Sequence, residues 1–286
     1  MSIGVVHTPK SEPWLALLNP LALALGLWRR RDLIAQFAWR YFVARHRGTY
    51  LGVLWAAAFP LAMLTVYTFV FNYIFVARVG ANQGETQSQY AVMLFCGIVV
   101  FGIFAESVTR ASHLIVENPN YVKRVVFPVE VLPVASLAAG LLTSLFGLAL
   151  TLAGVLIFYH AAHATLLYLP IVLLPLCALA MGLSWFLAAL TVFVRDASHA
   201  ASILIGQALF FATPIFYRIE NLPEQWRGVA MLNPLAVVVD SARRVMVLGE
   251  QPRWGQLLAA GAISLVVMQL GYAFFLRARR GFADVL

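Results

Sequence analysis

Few residues in this 286-residue chain are able to do acid–base, nucleophilic or metal chemistry: it holds 12 Asp and Glu, 6 His and 2 Cys. Ionisable groups inside long apolar runs are expensive and usually functional. Here the runs hold none, since Glu106, Glu130 and Asp196 stand at run ends and His160 and His163 flank a turn. No carboxylate pair is spaced for general acid–base work and no His/Cys cluster has metal-ligand spacing, so no catalytic residue and no metal ligand is assigned. A membrane-bound transferase therefore has little to work with. A proton- or sodium-coupled carrier lacks the buried ionisable groups it needs. The phosphate-cradling pattern G-x-x-x-x-G-K-[ST] is absent, because neither Lys10 nor Lys123 follows a glycine. The chain itself is expected to bind no cofactor, and uphill transport would draw its energy from another subunit.

Composition says what kind of chain this is. It is 62% hydrophobic and 11% charged, with a mean hydropathy of +0.84, whereas a soluble domain is about half apolar and about a quarter charged. A water-soluble enzyme, a disordered chain and a disulfide-rich secreted scaffold are all excluded. Cys96 and Cys177 both lie inside apolar runs and read as buried thiols. The net charge of +8 bears on topology and acidic lipid headgroups, not on nucleic acid.

A spanning helix needs about 20 mostly apolar residues. Six stretches answer to that: Tyr50–Val76, Tyr90–Ala105 continuing as helix through Glu106 and Arg110, Val131–Tyr159, Ala164–Val194 with Pro170 and Pro175, the short Ala200–Tyr217, and Leu257–Leu276. An even number of spans puts both termini on one side. If that side is the cytoplasm, fourteen Lys and Arg fall inside and six outside, five of the six in one long loop. The positive-inside bias thus places both ends in the cytoplasm. The expected organisation is an all-α membrane protein, with a cytoplasmic segment over 1–49 and a six-span domain over 50–286.

Two pieces do not span. Trp14–Trp28, interrupted by Pro20, precedes Arg29-Arg30-Arg31 and reads as interfacial rather than as a signal peptide. After it, Asp32–Arg47 forms an amphipathic helix with Leu33, Phe37, Tyr41 and Ala44 on one face, which suits the inner headgroup layer with Arg40, Arg45 and Arg47 near anionic lipid. A plain anchor would look the same. The other piece, Arg218–Gln256, holds two short apolar runs separated by Asn233-Pro234. They suit a pair of short helices dipping into the outer leaflet, or a solvated loop. Asp240 is spaced for ion pairs with Arg243 and Arg244.

Between spans two and three lies Glu117-Asn118-Pro119-Asn120-Tyr121-Val122-Lys123-Arg124, followed by Val125-Val126-Phe127-Pro128. Asn118 suits an N-cap, Pro119 the first helical position, and Pro128 a stop. The expected product is a rigid helix of about two turns presenting Asn120, Tyr121, Lys123 and Arg124. It is either a contact element or a surface helix that only turns the chain.

Three motifs carry a resemblance. Arg45-His46-Arg47-Gly48-Thr49-Tyr50-Leu51-Gly52-Val53-Leu54-Trp55 leads into span one, with Pro60-Leu61 and Val66–Phe71 beyond it. Asn118–Pro133 contains Val122-Lys123-Arg124, Phe127-Pro128 and Leu132-Pro133. Leu232-Asn233-Pro234-Leu235 is followed by Arg243. In order and spacing, from about Asp32 onward, the chain resembles the membrane subunit of type-2 ABC exporters of polysaccharides or polyol phosphates. His46 and Thr49 depart from it, standing where Tyr and Ser are common.

The resemblance implies a homodimer bound to two copies of an ATP-hydrolysing subunit, with ATP and Mg held on that partner. It implies that Asn118–Val126 is a coupling helix seated on the ATPase, that Asp32–Arg47 is a second contact at the inner membrane surface, and that Arg218–Gln256, with Asn233, Pro234, Asp240, Arg243 and Arg244, is an outer gate. The implied cargo is a polyprenyl-linked polysaccharide in a bacterial inner membrane, of O-antigen type in preference to a capsular or teichoic-acid polymer. A small-molecule exporter is a more distant alternative.

A glycan channel would favour aromatic walls without strong charge. At about 100° per residue, Trp55, Phe59, Phe69 and Tyr73 share one sector of span one, and Tyr67, Phe71 and Phe75 another. Phe210, Phe211, Phe216 and Tyr217 could add a second ring. Aromatics also collect at any membrane interface and pack any helix pair. The topology makes a direct prediction: a cysteine introduced as Gln83→Cys reacts with membrane-impermeant thiol reagents on intact cells, and labelling only after vesicle inversion would overturn the orientation.

Overall fold

The computed structural model describes residues 20–48, 50–70, 73, 86–122 and 127–286, and their regular structure is all helical. The chain begins with α1 (Pro20–Arg29) and α2 (Arg31–His46). A corner follows in which Gly48 and Gly52 take φ of 82° and 52°, a backbone region that residues with a Cβ rarely enter. These two glycines are the physical content of the Arg-Gly-Thr-Tyr-Leu-Gly motif. One 3-10 turn, Gly52–Leu54, then opens α3 (Trp55–Phe69).

Next comes α4 (Gln87–Glu117), whose 31 residues reach about 46 Å at 1.5 Å per residue, well beyond the roughly 30 Å hydrocarbon layer. Thr86 starts it with a capping box: its hydroxyl accepts from Gln89 N at 3.3 Å, and the Gln89 side chain accepts from Thr86 N at 2.9 Å. A four-residue turn, α5 (Pro119–Val122), is followed by α6 (Val131–Phe158). A 3-10 turn over Ala164–Tyr168 leads into α7 (Leu169–Phe193).

Among the described residues, five helical stretches are long and apolar enough to cross a membrane: Gly52–Phe69, Gln87–Glu117, Val131–Phe158, Ala164–Phe193 and Trp254–Val285. The fifth expected span, Ala200–Tyr217, is not one continuous α-helix. It runs as α8 (Asp196–Ile203), a wider π-helical stretch over Leu204–Leu209, and α9 (Phe210–Ala212). The helix stops there because Pro214 restricts the residue before it to extended backbone, and Thr213 sits at φ −89°, ψ 135°. The segment after it folds as α10 (Glu224–Met231), α11 (Pro234–Arg243) with a π turn over Arg244–Leu248, α12 (Trp254–Ala278) and α13 (Phe282–Val285).

The second span, α4, is the axis of the bundle: 72% of its apolar window is buried, against 6% for Gly52–Phe69. It packs on α6, α7 and α11. The tightest pair is α7 with α12. A Cβ added at Gly182 would lie 2.6 Å from the Met268 Cα and from the Val267 carbonyl oxygen, so the two backbones meet through a gap that only glycine leaves open. Gly102 is the contrast, since a Cβ there meets nothing within 4 Å. Gly182→Ala should therefore cost about 1–3 kcal/mol and lower the thermal midpoint of the detergent-purified protein, while Gly102→Ala, inside α4 with open space at its Cβ, leaves it unchanged or raises it slightly; equal lowering by the two would refute the close approach.

Candidate functional site

The segment expected to couple to a partner is fixed by its neighbours. Within the described residues, only its first turn, Pro119–Val122, is seen as helix, and Lys123, Arg124, Val125 and Val126 lie outside them. Asn118 does not cap α5 with its side chain. Its amide donates to the Leu114 carbonyl at 2.8 Å, closing the end of α4, while its own carbonyl accepts from Tyr121 N at 3.1 Å. Glu117 pairs with Arg110 at 3.2 Å, Pro119 is partly covered, and Asn120 is exposed.

Tyr121 stacks on Phe127 at 4.7 Å between centroids, and Phe37 of α2 meets both rings at 5.6 and 5.5 Å. Arg40 sits 4.3 Å over the Phe37 ring and donates to the Tyr121 hydroxyl at 2.9 Å. That bond holds its guanidinium above the ordinary arginine range. Arg40, expected near anionic lipid, is exposed, and within the chain a phenol accepts its hydrogen bond while aromatic faces attract its charge. Arg45 pairs with Glu106 of α4, and Arg47 is exposed at the corner.

One functional candidate lay outside the expected set. Glu130, immediately before α6, is 3% exposed. Its two carboxylate oxygens accept from Arg30, at the α1–α2 junction, and from Arg279, just past α12, the latter at 2.8 Å. Its main-chain carbonyl accepts from the buried Trp185 indole of α7 at 3.0 Å. One residue beside the coupling segment therefore ties together α1, α2, α6, α7 and α12. The sequence signal was an acid at the mouth of a charge-free apolar run, with arginine clusters at both ends of the chain.

At the other end of the bundle lies Arg243, 5% exposed. Its guanidinium donates to the carbonyls of Met93 at 3.1 Å, Pro214 at 2.6 Å and Tyr217 at 3.2 Å, and also to that of Ile215. Spacing suggested an ion pair between Arg243 and Asp240. Instead Arg244 takes that pair, at 3.1 Å, and also reaches Glu250 at 2.6 Å. Asn233 caps α11 by accepting from Leu235 N at 3.0 Å, with Pro234 at the first helical position. Helix α11 packs among α4, α7 and α12 with Leu235, Val238 and Val239 fully covered.

The aromatic residues divide. Trp55, Phe59, Phe69 and Tyr73 are 44–72% exposed, and Trp55 and Phe59 border a crevice between span one, α4 and α6. Phe210 instead turns inward against Phe101 at 5.3 Å and Phe216 at 5.3 Å. Phe211 is exposed and stacks on Phe216 at 5.9 Å, and Tyr217 is half-buried. Tyr67 is half-buried, while Phe71 and Phe75 lie outside the described residues. One chain thus carries an aromatic face and does not close a lumen around it.

A bundle of apolar spans with an amphipathic helix and a pinned loop at one end is the frame of a membrane transport subunit. Residues 32–247 match the family described as ABC-2 type transporter, and the chain belongs to that family. It is 25% identical over 266 residues to the O-antigen export system permease protein RfbA of Myxococcus xanthus, covering 92% of this chain and 99% of that protein. It is also 25% identical to two proteins of the same name from Klebsiella pneumoniae, each covering 89% of this chain and 95% of the relative.

The Glu130 geometry makes an ordered prediction. Glu130→Gln removes the charge but leaves two half-exposed arginines that water can solvate, at a cost of about 1–3 kcal/mol. Arg30→Gln with Arg279→Gln strands a buried carboxylate and should cost more, about 3–5 kcal/mol. Thermal unfolding of the purified variants checks the order, and a milder double variant would contradict the clamp.

Proposed function

We propose that this chain is the permease subunit of an ATP-driven exporter that carries a lipid-linked O-antigen polysaccharide across a bacterial inner membrane. The observation that carries this reading is the match to three O-antigen export permeases over nearly their whole length, together with membership of the ABC-2 family. In this reading residues 50–286 form the transmembrane domain, with Ala200–Tyr217 as the fifth of six spans, though a broken one, and both termini in the cytoplasm. The chain supplies no ATP site. Two copies of a separate ATP-hydrolysing subunit hold ATP and Mg, and seat on Asn118–Val126.

The packing supports how force would pass. Tyr121 is held to α2 through Phe37 and Arg40, so a push on the coupling segment moves the interface helix with it. Glu130, a few residues on, is bonded to Arg279 at the end of α12, which gives the same push a second path into the bundle. The exposed aromatic face of α3 would be completed by a second copy of the chain, and the two faces together would line a channel whose rings stack on sugars and let them slide. The segment around Arg243 would form its outer gate, with α10 and α11 re-entering the outer leaflet.

Lipid-linked glycans of cells lacking this chain test the proposal. The expected result is complete or overlong lipid-linked O-antigen retained on the cytoplasmic side, with surface polymer restored by the wild-type gene. Normal O-antigen at the surface, or retention of a capsular or teichoic-acid polymer in its place, would overturn the substrate assignment.

A further inference from the structure

Two cavities meet where α2, α3, α4 and α6 come together. One, of about 500 Å³, is walled by Tyr41 and Arg45 of α2, Arg110 and His113 of α4, and Ser136 of α6. The other, of about 400 Å³, rises between α3, α4 and α6 past Phe59, Met63, Val99 and Gly102. They share Arg45, Glu106 and Thr143.

The lower cavity is built for an anion. Arg45 and Arg110 both line it, with Glu106, which Arg45 engages, as the one carboxylate on the lining. Burial and then the charge of Arg110 pull the Arg45 guanidinium below its ordinary range. Arg110 itself reaches outward to Glu117 at 3.2 Å and stays half-exposed. The Tyr41 ring forms part of the same wall, its hydroxyl buried beside Arg40.

The upper cavity is built for hydrocarbon. Its two hydroxyls are already used: Thr143 donates to the Ala139 carbonyl at 3.1 Å and Ser144 to the Gly140 carbonyl at 2.8 Å. A sugar would find apolar walls there and few free polar partners. Along α6 the cavities extend from Ser136 to Gly147, which is about 16 Å at 1.5 Å per residue. One leaflet of hydrocarbon is about 15 Å deep. The charged end lies beside the α2 corner and the apolar end runs toward the bundle centre, the polarity of a lipid standing in its own leaflet.

We propose that this site holds one anionic phospholipid of the inner leaflet, its phosphate between Arg45 and Arg110 and one acyl chain in the crevice beneath Gly102. The lipid would fasten α2 to spans one to three and so set the stiffness of the element that the coupling segment moves. The leaflet follows from the orientation proposed above, but the site itself does not, so the two fail separately.

The test is native mass spectrometry of the full chain in detergent, titrated separately with phosphatidylglycerol, phosphatidylcholine and a polyprenyl phosphate. Phosphatidylglycerol should be retained at one per chain in preference to phosphatidylcholine. Arg110→Gln, at the half-exposed rim where it does not disturb packing, should weaken retention about tenfold, the scale of one charge-assisted hydrogen bond. Gly102→Leu, whose side chain enters open space, should abolish retention at unchanged oligomeric mass. Equal retention of the two phospholipids, or wild-type retention in both variants, would overturn the proposal. A changed oligomeric mass in Gly102→Leu would assign the crevice to a second copy of the chain, and displacement by polyprenyl phosphate would assign it to the transported carrier; either result overturns the phospholipid.

Discussion

Past Ala212 the chain leaves the helix, so the carbonyls of Pro214, Ile215 and Tyr217 gain no helical donors and must find others. Pro214 brings no N–H to help. Arg243 answers this by placing one guanidinium among the carbonyls of Met93, Pro214, Ile215 and Tyr217. A hydrogen bond from a charged donor is worth about 1.5–3 kcal/mol, so several from one side chain offset the burial of its charge. To reach them, α11 must lie against α4, with Gly97 leaving room: a Cβ there would come within 2.6 Å of the Arg243 Nη2. The path of the whole Arg218–Gln256 segment follows from that one placement.

Among the described residues, the other buried charged side chain is Glu130, at the opposite end of the bundle. The two solve different problems. Arg243 satisfies main-chain groups that a broken helix exposes, and it fixes a loop. Glu130 gathers side chains from sequence positions that the apolar spans hold far apart in the chain, and it fixes where helices end. Between the two charges the interior is held by close packing alone, chiefly the backbone contact of Gly182 with Met268. Such a bundle bends poorly along its spans. Movement imposed at the coupling segment would therefore travel as rigid displacement of helices, not as local deformation.

Much of this was legible in the sequence, and the illegible parts have physical reasons. Length and hydropathy expose α4, α6, α7 and α12 because a bilayer demands long apolar runs, and Pro119 and Pro234 mark helix starts because each supplies a fixed φ and needs no N–H there. Hydropathy did not register the break after Ala212, since Thr213 and Pro214 sit inside an apolar run, although the rule for residues preceding proline points to it. Spacing along one helix paired Asp240 with both arginines. It was blind to the carbonyls of Met93 and Tyr217, which lie near Arg243 only in the folded chain. The same limit hid the Glu130 clamp, whose partners stand 100 and 149 positions away, and the turn of Phe210 into the core.

The aromatic face of span one is the least explained by a single chain. Trp55, Phe59, Phe69 and Tyr73 stand exposed on a helix that is itself scarcely buried, while α4 beside it is buried over most of its length. An apolar helix in this position has lipid or protein as its neighbour, and lipid asks for aliphatic side chains as readily as aromatic ones, with aromatics favoured only at the two interfaces. Here the four rings extend from the first turn of α3 to beyond its last, a spread of 18 residues that the interfaces alone do not call for. A symmetric partner presenting the same face would turn one open aromatic stripe into two facing walls, as a two-fold interface requires.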